Sequence, residues 1–229
     1  MWKKLYRWFE YPHRFLAVRE VLNRRGVRVL DVGCGNHSPS LTKRYFPHCI
    51  YHGLDHGHWN VDFRDEQAID AFFHLDLNHP QALNGLAENR YDAILCSHVL
   101  EHTRDPYTVV RFLVSKLKPG GVLYIEVPSP KTLHLPRARQ GWYGIKGCLN
   151  FYDDETHLTM VDRNRMEDTL QQQGCAILAS RPRFLWRRVI LLPLYIGAGL
   201  LLRGYIPASV VWDITGSTHY FLAVRSTGS

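Results

Sequence analysis

The stretch that decides the fold is Val29-Leu30-Asp31-Val32-Gly33-Cys34-Gly35-Asn36, VLDVGCGN. An apolar, β-branched run ends beside an acid and breaks into two glycines at a GxG spacing. That pattern reads as a buried strand turning tightly into a helix, with glycines that let backbone approach a ligand. Twenty residues past Gly35, at the end of a second strand-like run (CIYHGLD), stands Asp55. An acid at that place can accept hydrogen bonds from both hydroxyls of a ribose. The residues alone leave two other readings open, an ordinary strand-to-helix turn and a dinucleotide site. A dinucleotide site wants Gly or Ala three residues after Gly35, where this chain has Ser38 behind the bulky pair Asn36-His37.

Outward from this loop, strand and helix patterns alternate. FHLDL, YDAILCS, GVLYIEVP, CAILAS and THYFLAV read as further strands, and 41–45, 81–88, 106–117 and 161–173 as helices. YDAILCS has a continuous apolar centre, as a strand covered on both faces requires. Lys118-Pro119-Gly120-Gly121 stops a helix and turns the chain. The expected fold is α/β: a Rossmann-like, mostly parallel seven-stranded sheet with helices on both faces and an antiparallel last strand. One domain is expected over residues 1–229. It has a helical N-terminal segment (1–25) and an apolar insertion (181–217) before the last strand.

Composition narrows the function classes. Hydrophobic residues make up 45% and charged residues 21%, an ordinary globular balance that excludes disorder as the dominant state. The formal net charge of +7 favours an anionic partner, but no long Lys/Arg block occurs, which argues against a nucleic-acid tail. Five cysteines (Cys34, Cys49, Cys96, Cys148, Cys175) with no CxxC pair argue against a disulfide framework and for a reducing cytoplasm. The N-terminal MWKKLYRWFEYPHRF lacks the apolar core of a signal peptide. The longest apolar run, 189–202, is broken by Pro193, Gly197 and Gly199 and is shorter than a bilayer span of roughly 20 residues.

The order and spacing of these motifs resemble the class I S-adenosylmethionine-dependent methyltransferases over residues 28–180. The resemblance implies that S-adenosylmethionine is the cofactor. It implies that Gly33, Gly35 and Asn36 run under the cofactor's methionine part while Asp31 supports that loop. Asp55, with His56 beside it, matches the ribose-binding acid. In LDLN, Asp76 and Leu77 fall where the family holds adenine, and YDAILCSHVLEH, with Ser97 at its turn, matches the fourth motif. The departure is at Asn36-His37, where many members carry another glycine.

Methyl transfer to oxygen needs alignment and a proton acceptor, and histidine is the natural choice. His98 follows the fourth strand, on the side where such sheets bind ligands. His157, in FYDDETHLTM, is the leading candidate for a base or substrate-orienting group, with Tyr152 a weaker one. Packing around an N-cap is the competing reading of that segment. His98, Glu101 and His102 share a helical spacing that suits a metal, but the paired upstream acid is missing and no metal is expected.

The insertion sets Arg187, Arg188 and Arg203 at the edges of large aliphatics. The N-terminus adds Trp2, Lys3, Lys4, Tyr6, Arg7, Trp8 and Phe9. Such segments fit an interfacial anchor, a lid over the substrate or a dimer contact. The expected function is methylation, at oxygen, of a small-molecule or lipid-linked acceptor, by a cytoplasmic protein in peripheral contact with the inner face of the membrane. The alternatives are a nicotinamide-dependent oxidoreductase with a degenerate dinucleotide loop, and a non-catalytic membrane-associated protein of the same fold.

Overall fold

The computed structural model describes residues 11–57, 60–79, 85–138 and 144–227. In chain order the elements are α1 (His13–Leu22), β1 (Arg28–Val32), α2 (Ser38–Tyr45), β2 (Ile50–Asp55), α3 (Phe63–Ala68), β3 (Ala71–His74) and β4 (Tyr91–Ser97). There follow α4 (Pro106–Lys116), β5 (Leu117–Pro128), β6 (Ile145–Lys146), α5 (Arg163–Gln172) and β7 (Cys175–Arg183). The chain continues with α6 (Trp186–Ile190), α7 (Leu192–Arg203), β8 (Ile206–Pro207), α8 (Ala208–Thr215) and β9 (Thr218–Arg225).

Seven strands form one sheet in the order β3-β2-β1-β4-β5-β9-β7. All pair in parallel except β9, which lies antiparallel between β5 and β7. The alternation of side chains along each strand fills two cores. From β4, Ile94 and Cys96 enter one, with Leu113 and Val110 of α4; Ala93 and Leu95 enter the other, with Phe15 and Val18 of α1. Each fully buried aliphatic contributes about 1.5–3 kcal/mol relative to exposure, so the continuous apolar centre of β4 is what fixes its place mid-sheet.

Several expectations need correction. FHLDL is not the third strand: β3 is Ala71–His74, and its pairing with β2 ends where Asp55 meets His74. Beyond that register one bond remains, from the Leu75 amide to the Asp55 carbonyl at 3.0 Å, and Asp76 lies in the loop past the strand end. β7 runs to Arg183, pairing with Thr218 of β9, so Arg181–Arg183 are strand and the insertion begins at Phe184. The insertion's β8 pairs in parallel with β6, from the connection after β5, beside a small third core that includes Ile145, Leu149 and Trp212. Of the expected N-terminal helical segment, α1 covers His13–Leu22 and residues 1–10 lie outside the described residues; of the expected helix at 81–88, residues 81–84 lie outside them and 85–88 form no α-helix.

The loop after β1 manages without the usual extra glycine by placing Asn36 (φ 52°) and His37 (φ 58°) in the left-handed region, where Asn and His are among the better-tolerated side chains. His37 Nδ1 donates to Asp65 Oδ2 at 2.7 Å, and Asn36 Oδ1 accepts from Asn60 at 2.7 Å. These side-chain bonds hold the strained turn. Gly33 (φ 74°) is required for a different reason: a Cβ there would lie 2.2 Å from Val99 Cγ2. We therefore expect Gly33→Ala to combine left-handed strain with overpacking. The predicted loss is about 2–5 kcal/mol, seen as a melting temperature lower by roughly 5–15 °C in a thermal unfolding scan.

Candidate active site

A cleft of about 1090 Å³ opens over the C-terminal ends of the parallel strands, as the topology of such sheets dictates. Gly33, Gly35, Asn36, Asp55, His56, Asp76, Leu77, Ser97 and His98 all line it. Asp55, at the end of β2, is buried and accepts from the Gly57 amide at 3.2 Å, with His56 Nδ1 3.3 Å away. Asp76 accepts from the Asn78 amide (2.8 Å) and side chain (3.2 Å), and these bonds hold its carboxyl below the ordinary range. Asp31 lies beneath the cleft rather than on its wall. It accepts from Ser38 Oγ and from the Tyr51 hydroxyl (2.7 Å), and its burial pushes its pKa up. Arg14 donates to that same Ser38 Oγ at 2.8 Å and does reach the cleft.

The residues fit the cofactor that the motifs imply. Two acids stand at adjacent strand ends, and the Ser97 hydroxyl, on the cleft wall, is buried without a hydrogen-bond partner. An orphaned polar group at such a wall is a place for a ligand atom.

His98 occupies the left-handed region (φ 55°), so the three residues 98, 101 and 102 do not share a regular helix face. Its ring spans two buried carboxylates, Nδ1 to Glu101 Oε1 at 3.2 Å and Nε2 to Glu126 Oε1 at 3.0 Å. Burial works against the charged ring, but the two carboxylates outweigh it and lift its pKa to about 9. An imidazolium with both nitrogens donating is a fixed positive charge and has no lone pair for a proton.

His157 and Tyr152 do not line the cleft. His157 Nδ1 lies 2.6 Å from the Phe151 carbonyl, and its ring packs on His102 and Phe151 at 4.8 and 4.5 Å between centroids. Tyr152 is 55% exposed, and Arg137 donates to its carbonyl. His102, by contrast, is on the cleft wall. Thr156 Oγ1 donates to Asp154 Oδ1, so it can only accept from His102 Nδ1, 2.8 Å away. That fixes the proton on Nδ1 and leaves Nε2 as an acceptor.

Glu101, His102 and His157 bring one ligand atom each within 4.8 Å of one another, a set that could hold a divalent cation. It is a different set from the helical trio of the sequence reading. His37, Asp62 and Asp65 also cluster, but Asp65 is taken up by the His37 ring and by the Ser40 and Asp62 amides.

Sequence reasoning missed Arg14, Glu126, Arg183 and Asp213, which line the cleft, and read Arg187, which also lines it, only as an edge residue of the insertion. Glu126 carried a signal: a lone acid inside the apolar run VLYIEVP, at the ligand end of its strand. The arginines gave none, because their placement depends on how α1, the end of β7 and the insertion come together over the strands.

The sheet, with its antiparallel strand between β5 and β7, and the crevice with its two acids define a Rossmann-like methyltransferase. The comparisons agree. The family described as Methyltransferase domain matches residues 1–180. A "Ubiquinone biosynthesis O-methyltransferase" of Marinobacter nauticus is 30% identical over 184 residues, 72% of this chain and 71% of that protein. A relative of the same name from Xanthomonas axonopodis pv. citri is 32% identical over 50% of this chain and 48% of its own, and several further relatives are likewise matched over about half their length. Among solved structures, an S-adenosylmethionine-dependent methyltransferase from Mesorhizobium loti superimposes with a TM-score of 0.63 at 17% identity, covering 95% of this chain and all of that one. One from Archaeoglobus fulgidus gives 0.58 at 18%, covering 93% and 91%. The chain belongs to the methyltransferase-domain family and is an S-adenosylmethionine-dependent enzyme. The oxidoreductase and non-catalytic alternatives fall away.

The His98 bridge predicts a pH signature. A pKa raised from 6.5 to about 9 on folding adds stability that is fully present below pH 6.5 and is lost as pH climbs through about 9. Thermal unfolding between pH 6 and 10 should show a steeper fall in melting temperature for the wild type than for His98→Gln. Parallel curves would rule out a charged bridge.

Proposed function

We propose that the protein methylates an oxygen of a small amphipathic or lipid-linked acceptor while resting on a membrane surface. One observation carries this reading: a single segment faces two ways. Leu185, Arg187 and Arg188 line the cleft, while the same hairpin turns Trp186, Ile190, Leu194, Leu201 and Leu202 outward, each at least 67% exposed. In α7 only Gly199 is buried. Large aliphatics so placed, with Arg203 at their edge, suit the headgroup boundary of a bilayer, and an acceptor with a lipid tail would enter the cleft from there. No helix among the described residues is long and apolar enough to cross a membrane, which agrees with a surface position. The aromatic and basic residues at 2–9, part of the same anchor in the sequence reading, lie outside the described residues.

In this reading Asp55 accepts from the cofactor's ribose hydroxyls, with His56 beside it. Asp76 and Leu77 hold the adenine, and Ser97 offers its unpaired hydroxyl to the ligand. Gly33, Gly35 and Asn36 form the floor under the methionine part. Asp31 acts indirectly, by fixing Ser38 and, through it, Arg14, whose guanidinium faces the methionine carboxylate. When bound, S-adenosylmethionine supplies a methyl group on a positively charged sulfonium. His102 Nε2 takes the proton from the acceptor hydroxyl, the Asp154–Thr156 pair orients its ring, and His157 packs behind it as a positioning residue. Tyr152 has no part in this scheme. The name shared by the M. nauticus and X. axonopodis relatives, O-methyltransferases of ubiquinone biosynthesis, supports oxygen as the acceptor atom.

Two variants separate these roles. Asp55→Ala should weaken S-adenosylhomocysteine binding roughly tenfold or more in calorimetry, the loss expected for a charge-assisted hydrogen bond. His102→Gln should leave that affinity within about twofold of wild type and lower turnover, scored as S-adenosylhomocysteine release on a panel of hydroxyl acceptors, by a factor on the order of 10²–10⁴. Wild-type binding by a folded Asp55→Ala protein would remove the ribose assignment.

For the membrane contact, the protein should sediment with anionic liposomes and less with neutral ones. Salt should reduce the binding and leave an apolar remainder. Serine at Ile190, Leu194, Leu201 and Leu202, the outward positions, should abolish that remainder with cofactor binding intact. A wild-type protein that stays in the supernatant at low salt would return the hairpin to the lid or dimer reading.

A further inference from the structure

Three arginines that follow β7 or end it, Arg183, Arg187 and Arg188, line the cleft, and two of them are matched by an acid. Arg183 divides its guanidinium between Glu126 Oε1 (2.5 Å) and Asp213 Oδ1. Arg188 meets the other oxygen of Asp213, and His98 has Glu101. Arg187 is different. Its guanidinium donates to the Tyr11 carbonyl at 3.1 Å, and its Nε, like those of Arg183 and Arg188, is buried and makes no hydrogen bond, but no carboxylate among the described residues forms an ion pair with it. It nevertheless lines the cleft.

A half-buried guanidinium with unused donors and no counter-charge is poorly solvated as it stands, and its planar fork matches an oxyanion. Glu126 and Asp213 cannot relieve it, since both are already committed to other cations. An oxyanion entering the cleft would restore the local balance. The exposed basic residues elsewhere on the chain do not share this setting, because water already solvates them.

We propose that Arg187 seats a carboxylate or phosphate of the acceptor, so that the substrate of this methyltransferase is an anion anchored at the insertion side of the cleft. This rests on the cofactor and acceptor halves of the cleft assigned above. The anion then serves as the handle that orients the acceptor hydroxyl, which is the part of the task that alignment, rather than acid–base chemistry, must supply.

The test uses the full-length protein saturated with S-adenosylhomocysteine, so that the cofactor's own carboxylate is already seated. Benzoate, phenyl phosphate and neutral benzyl alcohol are titrated in calorimetry, and anionic liposome binding is measured in parallel. We expect benzoate or phenyl phosphate to bind at least roughly tenfold more tightly than benzyl alcohol, with the better of the two naming the oxyanion. Arg187→Gln should lose that preference, Arg187→Lys should keep part of it, and both should bind S-adenosylhomocysteine as the wild type does. Three probes of equal affinity, or an unchanged preference in Arg187→Gln, would overturn the proposal. So would a loss confined to liposome binding, which would make Arg187 a lipid-headgroup contact, or an equal loss of S-adenosylhomocysteine affinity, which would assign it to the cofactor. A wild-type protein that fails to bind S-adenosylhomocysteine at all would instead refute the cofactor reading of the cleft.

Discussion

The carboxylate of Glu126 is the joint on which the site depends. It stands near the end of β5 with 3% of its surface exposed, and it gathers groups from four parts of the chain. His98 comes from the turn after β4, Arg183 from the end of β7, and Tyr124 from its own strand. Tyr124 passes the contact on to His13 of α1, 3.0 Å away. Arg183 and His98 hold the Glu126 carboxyl well below its usual range despite burial. An acid buried this deeply persists only because it is paired on both oxygens, and removing one partner from such a network typically costs about 3–5 kcal/mol. The cofactor end, the insertion and the N-terminal helix are thereby referred to a single point.

That joint also sets how the histidines around the cleft are engaged. His98 is nearest the strand end, but the two carboxylates that position it also keep it charged. His13 is driven the other way, to about 4, mainly by burial, and is neutral in the same network. His102 has one nitrogen committed to Thr156 and the other left over. The contrast follows from counting acceptors: two carboxylates take both ring nitrogens of His98, while a hydroxyl already donating elsewhere takes only one of His102.

The sheet was legible because its signals are local. The apolar centre of β4, the glycines after β1 and the Asp55 that ends β2 each follow from spacing and residue type, and the resemblance they carry names the cofactor side of the cleft. The acceptor side was not legible in the same way. His157 sits in a conspicuous aromatic–acid–histidine segment, yet its ring turns to the Phe151 carbonyl and the cleft is met by its neighbour His102. Choosing between two histidines 55 residues apart in sequence requires knowing how the segment from 151 to 160 lies against the turn after β4. Backbone bonds from Leu158 and Thr159 to the Glu101 carbonyl set that contact, and no periodicity reports such bonds. The third strand was misplaced for a related reason. Leu75-Asp76-Leu77 has strand composition, but β2 has already ended beside it, and a strand exists only where a partner does.

The insertion joins the two halves of the argument. A helix as apolar as α7 would ordinarily turn its aliphatics inward, but the neighbouring third core is formed without them, by Trp212, whose indole donates to the Leu149 carbonyl, with Ile145 and Ala208. Glycine at 199 brings α7 close to the backbone of Tyr205, so a Cβ there would lie 2.9 Å from the Tyr205 carbonyl oxygen. The helix is therefore held tightly by its one buried face while its large side chains remain outside. The same anchoring fixes α6, whose Arg187 and Arg188 point back over the strands. A surface that is apolar on the outside and cationic on the inside is what an acceptor with a hydrocarbon tail and an anionic head would need. In this chain both faces are produced by one short stretch of sequence, and neither can be rebuilt without disturbing the other.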